Sequence, residues 1–271
     1  MKYYISVILC CYNSQKFIKE TLKSIKEQTF KNYELIIIDD GSEDETVRIL
    51  ENFIEVNQEI VIKLIKQNNM GLPKARNVAL SHCKYNLIAI IDHDDIWVNN
   101  KLSEQISHIK KNENCYLFFS DFQYLNYNSI NSTRFKISAL KDKFLPYKLN
   151  LKKKYSFVNL SILGCFIGSS TVIFKKEVIN TIGNFDENYK FLTDYIFFLK
   201  LSKNYDIYCS KSVLSKWRYH KENATTRLNK VYIKEMNILY LKLIKDNDLN
   251  INQKIKIIIK YMKFNIKNNI L

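Results

Sequence analysis

The sequence predicts an α/β fold: a mostly parallel, doubly wound sheet with helices on both faces, followed by a C-terminal helical appendage. Two observations support this prediction. Short apolar runs that read as strands recur through the first hundred residues. Amphipathic stretches of helical periodicity lie between them, at roughly thirty residues per unit. Strand and helix alternating at this length require crossover connections, which produce parallel strands.

The first half contains four predicted strands, which are rich in β-branched residues. They lie at Tyr4–Cys10, Glu34–Ile38, Val61–Ile65 and Leu87–Ile91. Amphipathic helices are predicted between them at Ser14–Gln28, at Glu43–Val56 and over about 72–83. Ser14 is expected to cap the first of these helices and Ser42 the second.

The second half is less regular. We predict a helix at Lys101–Lys111, a strand at Cys115–Tyr124, a Lys-rich loop at Thr133–Ser156, a strand at Ser170–Phe174, and helices at Lys176–Ile182 and Leu192–Lys203. Two further helices follow from Val231, with a break over 246–250. We therefore expect one domain over residues 1–225, with halves 1–125 and 126–225 that meet near Asn126, and a C-terminal helical segment over 226–271.

Composition limits the class of protein. The 46% of hydrophobic residues can form a substantial core, which excludes wholesale disorder. The net charge of +15 favours anionic partners such as nucleotides or phospholipid headgroups, but a Lys-rich composition alone would give the same value. The six cysteines lack metal-binding spacing, and no apolar stretch reaches the roughly eighteen residues of a membrane span. We expect a cytoplasmic protein, in solution or peripheral on the inner face of the plasma membrane.

Polar residues follow each of the four predicted strands. These segments are Tyr12-Asn13, Asp39-Asp40-Gly41-Ser42, Asn68-Asn69-Met70-Gly71 and Asp92-His93-Asp94-Asp95. Because parallel strands end at the same edge of a sheet, at least five carboxylates should gather there, and ligands of such sheets bind at this edge. Unpaired carboxylates would repel one another, so a divalent cation or a basic ligand is expected beside them.

Asp92 and Asp94 suit an oxygen-ligated Mg²⁺ or Mn²⁺ that holds a diphosphate. An isolated Asp-x-Asp pattern more often marks the start of a helix. Its position after the fourth strand of this array favours the metal site.

Four segments together resemble the donor half of glycosyltransferase family 2, whose members have the GT-A (Rossmann-like) fold and invert the anomeric centre. The segments are Ile5–Asn13, Ile38–Ser42, Asn69–Asn77 and Ile91–Asp95. The resemblance implies a role for each matching residue. At the nucleotide base, Tyr12 stacks on the base with Asn13 beside it, Asp40 binds the base, and Asp39 shapes its pocket. Closer to the sugar, Arg76 lies near the donor, Asp92 faces the ribose or a metal-bound water, and Asp94 ligates the metal. Cys10-Cys11 departs from the family, which usually has Pro and a small residue there.

Further along the chain, Gly183–Glu187 resembles a G-x-F-D-E segment of the same family and precedes Asp194. The resemblance implies that Asp194 is the general base, although Thr193 replaces the acidic neighbour common in relatives. From the residues alone, Asp194 could equally cap the helix that follows. Trp217–His220 resembles the segment that places a basic residue over the diphosphate. His220 therefore remains open between a metal or diphosphate contact and a structural role.

The C-terminal segment is basic and amphipathic. Residues 230–271 contain nine Lys against Glu235, Asp246 and Asp248, which gives 9 − 3 = +6. Such a helix could lie on an anionic membrane, or its apolar face could pack on the sheet or on a second subunit.

The sequence thus predicts an inverting transferase that moves a sugar from a nucleotide-diphosphate sugar, expected to be a UDP-sugar, to a hydroxyl of a surface glycan or lipid-linked oligosaccharide. An alternative is a nucleotidyltransferase that forms sugar nucleotides, although the Gly-rich loop expected after its first strand is missing. A nucleic-acid-binding module is disfavoured, because the carboxylate edge would repel phosphate unless a metal were bound.

Overall fold

The computed structural model describes residues 3–125, 132–149 and 151–268. Its strands are β1 (Ile5–Cys11), β2 (Tyr33–Asp39), β3 (Val61–Lys66), β4 (Leu87–Asp92), β5 (Ile96–Trp97), β6 (Leu117–Leu125), β7 (Ile173–Lys175) and β8 (Ile207–Arg218). Its helices are α1 (Ile18–Lys26), α2 (Thr46–Glu55), α3 (Leu72–His82), α4 (Lys101–Lys111), α5 (Arg134–Ile137), α6 (Lys153–Leu163), α7 (Ile179–Ile182), α8 (Thr193–Asn204), α9 (Ala224–Arg227), α10 (Asn229–Lys245) and α11 (Ile251–Lys267).

The eight strands form one mixed sheet in the order β3-β2-β1-β4-β7-β6-β8-β5. The first four strands in this order are parallel, as the repeating strand–helix pattern predicts. β7 then runs antiparallel to both β4 and β6, while β8 is parallel to β6. The predicted α/β fold with helices on both faces is confirmed.

Side chains that alternate along each central strand build a core on either face of the sheet. Ile8 and Ile36 belong to the core shared with α3 and α8, whereas Val7 and Leu9 belong to the core with α1 and α4. α10 and α11 extend the first core with apolar residues such as Leu239 and Ile257. The C-terminal helices therefore pack against the α/β domain through one face.

Two expectations about the second half are wrong, and one strand is new. The predicted loop at Thr133–Ser156 contains α5, further short helical turns and the start of α6. The strand predicted from Ser170 begins at Ile173, because a 3₁₀ turn occupies Ser169–Thr171. β8, the twelve-residue strand beside β6, was not predicted. The expected boundary at Asn126 lies outside the described residues.

The expected helix caps are also wrong at both positions. The Ser14 hydroxyl accepts from the N–H of Tyr12, whereas α1 begins later, at Ile18. The Ser42 hydroxyl accepts from the N–H of Asn13 instead of a helix N–H. At α2 the first N–H, that of Thr46, is bound by the carboxylate of Asp44.

Candidate active site

The parallel register brings the ends of three strands together. Asp39 at the end of β2 is paired with Cys11 of β1, and Asp92 at the end of β4 is paired with Cys10. α1 starts beyond the end of β1 and α2 beyond the end of β2, so the N-terminal ends of both helices lie at the edge where ligands of such sheets bind. Burial raises the pKa of the Cys10 thiol to about 12, which keeps it protonated beneath the site.

The Asp40 carboxylate fastens two loops of this edge to each other. Its Oδ1 accepts from the N–H of Met70 at 3.0 Å, and its Oδ2 accepts from the N–H of Gly71 at 2.8 Å, at the start of α3. Gly41 permits the close approach, because it has a φ of 81° and an added Cβ would lie 2.8 Å from the backbone nitrogen of Asn69. In this structure Asp40 therefore positions the loop that leads to Arg76.

Tyr12, Asn13 and Asp39 surround the same edge. The Tyr12 ring is partly exposed, as a ring that accepts a stacked base must be. Asn13 adopts a left-handed conformation, and its side chain accepts from the N–H of Glu43 at 2.9 Å. The Oδ1 atom of Asp39 is buried and has no hydrogen-bond partner among the described residues, so a ligand N–H at this position would satisfy it.

Arg76 lies at the centre of the site and joins two carboxylates. Its guanidinium is 1% exposed, donates to Asp92 at 2.8 Å, and also donates to Asp194. The second oxygen of Asp194 accepts from the Ser169 hydroxyl at 2.7 Å. Asp194 lies within the first turn of α8, whose N-cap is Leu192. The alternative that Asp194 is the helix N-cap is therefore excluded.

The electrostatics of this cluster follow from burial and from charge. Burial lowers the pKa of the Arg76 guanidinium, but Asp194 and Asp92 outweigh this effect and raise it. Burial raises the pKa of Asp92, and the charges of Asp194 and Asp94 raise it further against the opposing effect of Arg76. Two carboxylates thus share one cation, so the pair favours additional positive charge.

Asp94 forms a second cluster with residues that follow β8. Its Oδ2 lies 2.9 Å from Nε2 of His220 and 3.1 Å from Nδ2 of Asn223. Burial would raise the pKa of Asp94, but the hydrogen bond with His220 and the nearby His93 lower it overall. The carboxylate that the sequence analysis assigns to the metal is therefore held in its charged form.

Residues with no assigned role in the sequence analysis support these aspartates. Ser170 accepts from the N–H of Asp92 at 3.0 Å and donates to Asp95 at 2.5 Å. Arg218 donates its Nε–H to the carbonyl of Asp94 at 3.0 Å and its Nη2 to Glu20 at 2.6 Å. Arg218 was within reach of sequence reasoning, since it lies in the motif that contains His220. Ser169 and Ser170 were not, because their partners are distant along the chain.

The donor atoms at this edge fit an oxygen-preferring divalent cation. Among the described residues, no three His, Cys, Asp or Glu side chains form a preassembled metal cluster. The contact between the Asp94 carboxylate and the His220 ring nitrogen nevertheless offers two ligand types that Mn²⁺ accepts, with Asp92 two residues away. A cation held by few protein ligands keeps positions for phosphate oxygens and water, as Mg²⁺ usually does.

A cavity of about 470 Å³ opens beside the two clusters. Its wall includes Asp92 and Asp194, the segment Gly164–Thr171 apart from Phe166, and aromatic residues such as Trp217. This segment lines the cavity and then turns into β7. The cavity therefore borders both Asp92 at the sheet edge and Asp194 on α8.

Known proteins resemble this chain in sequence and in fold. Residues 6–183 match the sequence profile of Glycosyl transferase family 2. The chain belongs to this family. Membership decides between the two enzyme classes left open above, in favour of the glycosyltransferase.

Family 2 relatives of this chain include two Escherichia coli enzymes named as UDP-Glc:α-D-GlcNAc-diphosphoundecaprenol β-1,3-glucosyltransferases. WfgD is 29% identical over 241 residues, which cover 88% of this chain and 85% of WfgD. WfaP is 31% identical over 238 residues, which cover 87% of this chain and 85% of WfaP.

Two solved structures share the fold of this family 2 glycosyltransferase. Residues 1–349 of S. aureus TarS in complex with UDP give a TM-score of 0.69 at 22% identity, covering 97% of this chain and 72% of that one. The mannosyltransferase PcManGT from Pyrobaculum calidifontis, in complex with GDP-Man and Mn²⁺, gives a TM-score of 0.67 at 16% identity. The match covers 96% of this chain and 70% of PcManGT.

Proposed function

We propose that this glycosyltransferase moves one sugar, with inversion, from a UDP-sugar to a hydroxyl group of a lipid-linked or surface glycan. The observation that carries the proposal is the position of Arg76 between Asp92 at the donor edge and Asp194 on the cavity wall. It links the residue expected at the nucleotide to the residue expected to act on the acceptor.

Asp194 is proposed as the general base. The acceptor hydroxyl enters the cavity, replaces the Ser169 hydroxyl at Oδ2 of Asp194, and gives its proton to that carboxylate. The acceptor oxygen then attacks the anomeric carbon as the bond from that carbon to the diphosphate breaks. One displacement of this kind inverts the anomeric centre. Arg76 holds Asp194 in place and keeps its charge balanced before the proton arrives.

Asp94 and His220, with Asp92, are proposed to hold Mg²⁺ or Mn²⁺. The bound cation supplies positive charge against the leaving diphosphate. On the protein side, Asn223 and Arg218 fix Asp94 through its carboxylate and its backbone carbonyl. Tyr12, Asn13, Asp39 and Asp40 are proposed to form the base pocket.

The UDP preference and the lipid-linked acceptor are proposed from the activities for which WfgD and WfaP are named and from the UDP complex of TarS. We propose that residues 1–225 carry the transferase domain and residues 226–271 a helical segment. The proposed location is the cytoplasm, peripheral to the inner face of the plasma membrane. No helix within the described ranges has the length and apolar composition that crossing a bilayer requires.

Calorimetry with UDP and GDP, each with and without Mn²⁺, tests the donor site directly. We expect UDP binding that depends on Mn²⁺ and is tighter than GDP binding. A panel of sugar nucleotides, scored by donor hydrolysis, then identifies the sugar. Metal-independent binding, or a preference for GDP, would contradict the proposed donor.

A further inference from the structure

One face of α11 exposes an apolar stripe. At 3.6 residues per turn its six members fall within an arc of about 100°. Each is between 37% and 70% exposed, and the stripe consists of Ile251, Ile255, Ile258, Ile259, Met262 and Ile266. The opposite face is already used, since Ile257 is buried in the core. Large aliphatic side chains aligned along a whole helix differ from the single exposed apolar residues of an ordinary surface.

A row of lysines borders the stripe. Lys256, Lys263 and Lys267 are exposed on the adjoining arc of the helix. α11 contains no Asp or Glu between Ile251 and Lys267. The helix therefore combines an apolar face with a positive edge and no compensating negative charge, which is the pattern of helices that lie in a membrane interface.

α10 and α11 together form part of the cavity wall beside Asp194. Tyr232, Met236 and Tyr240 of α10 and Lys260 of α11 line the cavity. Lys260 also donates to the carbonyl of Ile162, at the C-terminal end of α6, at 3.0 Å. α11 therefore carries the exposed stripe on one face and reaches the cavity wall through Lys260 on another.

We infer that α11 docks this protein on an anionic lipid bilayer, with the stripe at the boundary between headgroups and acyl chains and the lysine row on the phosphates. The partner is a lipid surface, identified by its apolar interior and its negative headgroups. That the docking brings the cavity to a lipid-linked acceptor rests on the proposed function, but the docking itself does not.

A second copy of this chain is the main alternative partner for the stripe. Two such helices could bury their apolar faces against each other, but α11 offers no carboxylate to the partner's lysine row. Anionic headgroups neutralise that row, and each lysine near such a surface adds about 1 kcal/mol, or roughly fivefold in partition. Charge complementarity therefore favours the membrane.

The test is co-sedimentation of the full chain with vesicles of phosphatidylcholine alone or mixed with phosphatidylglycerol. We expect binding to the mixed vesicles that weakens with added salt. Lys256→Gln with Lys263→Gln should lower the partition coefficient roughly thirty-fold. Ile255→Ser with Ile259→Ser should lower it roughly a hundredfold.

Matched controls carry the same changes elsewhere. Lys110→Gln with Lys111→Gln, on exposed positions of α4, removes the same charge. Val56→Ser with Val61→Ser, which are 72% and 66% exposed, removes comparable apolar surface. Both controls should bind vesicles within about threefold of the parent, since surface substitutions outside the docking face have small effects. Equal losses in controls and α11 variants would overturn the proposal.

Light scattering without lipid tests whether the partner of the stripe is a second copy of this chain instead. A dimer that dissociates in the Ile255→Ser, Ile259→Ser variant, without vesicle binding by the parent, would assign the stripe to a subunit interface. Metal-dependent UDP binding by the same variants is measured in parallel and should be unchanged. Failure of UDP binding in the parent would contradict the proposed function alone, whereas failure of vesicle binding would contradict the docking alone.

Discussion

Nε2 of His220 lies 2.9 Å from Oδ2 of Asp94, although 126 residues separate the two along the chain. The contact forms because β8 returns beside β6 and ends near the Asp92–Asp95 turn, where Arg218 binds the backbone of Asp94. Asp94, the candidate metal ligand from the first half of the chain, is thus joined by His220 from the second half. This pairing is the basis of the first two predictions.

Asp94→Asn should weaken Mn²⁺-dependent UDP binding by at least about a hundredfold, since it replaces an anionic ligand with a neutral one. Calorimetry with and without Mn²⁺ measures the effect. Asp248→Asn is the matched control, because its carboxylate is 59% exposed and pairs only with Lys203 among the described residues. Unchanged UDP affinity in Asp94→Asn would remove this residue from the metal site.

His220→Gln should weaken the same Mn²⁺-dependent binding by roughly ten- to a hundredfold. Either role of His220 predicts this loss, because it contacts Asp94 directly whether or not it ligates the cation. The two roles differ in the response to Mn²⁺ concentration. If His220 ligates the cation, a higher Mn²⁺ concentration alone should restore UDP binding in the variant. If His220 positions Asp94 instead, UDP binding should stay weakened even at saturating Mn²⁺.

Arg76→Met should lower the free energy of unfolding by about 3 kcal/mol, because it leaves two carboxylates facing each other without their shared cation. Urea denaturation measures this change. Lys74→Met on the same helix should change stability by less than about 1 kcal/mol, since Lys74 pairs with Glu187 at a solvent-exposed site. Equal effects of the two substitutions would show that Arg76 is not the electrostatic centre of the site.

The first half of the fold was predictable because each element carries its own signal. α4 occupies Lys101–Lys111 as predicted, and the strand ends gather Asp39 and Asp92 as the parallel register requires. β8 was not predictable in the same way. Its burial alternates irregularly along twelve residues, and bulges shift its register against β6. Local periodicity therefore failed where pairing with a distant strand determines the structure.

The same distinction applies within the candidate site. Asp92 and Asp94 follow an apolar strand, so their position at the sheet edge could be inferred from the sequence. The hydroxyl of Ser169 on Asp194, and that of Ser170 on Asp95, depend on a turn between α6 and β7. Serine is common in any turn, and nothing in the sequence separates these two from the others.

Asp194→Asn should retain Mn²⁺-dependent UDP binding and lower the rate of transfer by roughly a hundred- to ten-thousandfold, the usual contribution of a general base. Ser169→Ala is an informative companion, because it removes only the hydroxyl that donates to Oδ2 of Asp194. It should change the rate far less. Calorimetry and an acceptor assay separate binding from transfer, and retained turnover in Asp194→Asn would assign the base elsewhere.

Lys101 provides a test of pH dependence that is independent of the catalytic site. Its ammonium group is fully buried, donates to Oε1 of Gln105 at 2.7 Å, and lies 4.1 Å from the centre of the Trp97 ring. Burial lowers the pKa of Lys101 well below its ordinary value of 10.5. Among the described residues, no carboxylate forms an ion pair with it. The charged form is therefore disfavoured in the folded protein.

The sign of the effect follows from proton linkage. Between the lowered folded-state pKa and the ordinary value of 10.5, the unfolded chain binds more protons at Lys101, so the contribution of Lys101 to stability rises with pH. Lys101→Met keeps the aliphatic packing and removes the titration. We expect the free energy of unfolding of the parent, minus that of Lys101→Met, to increase from pH 7 toward pH 10 in urea denaturation. Lys110→Met, at an exposed position of the same helix, is the matched control. A Lys101 difference that stays constant from pH 7 to pH 10 would mean that the pKa of Lys101 is not lowered.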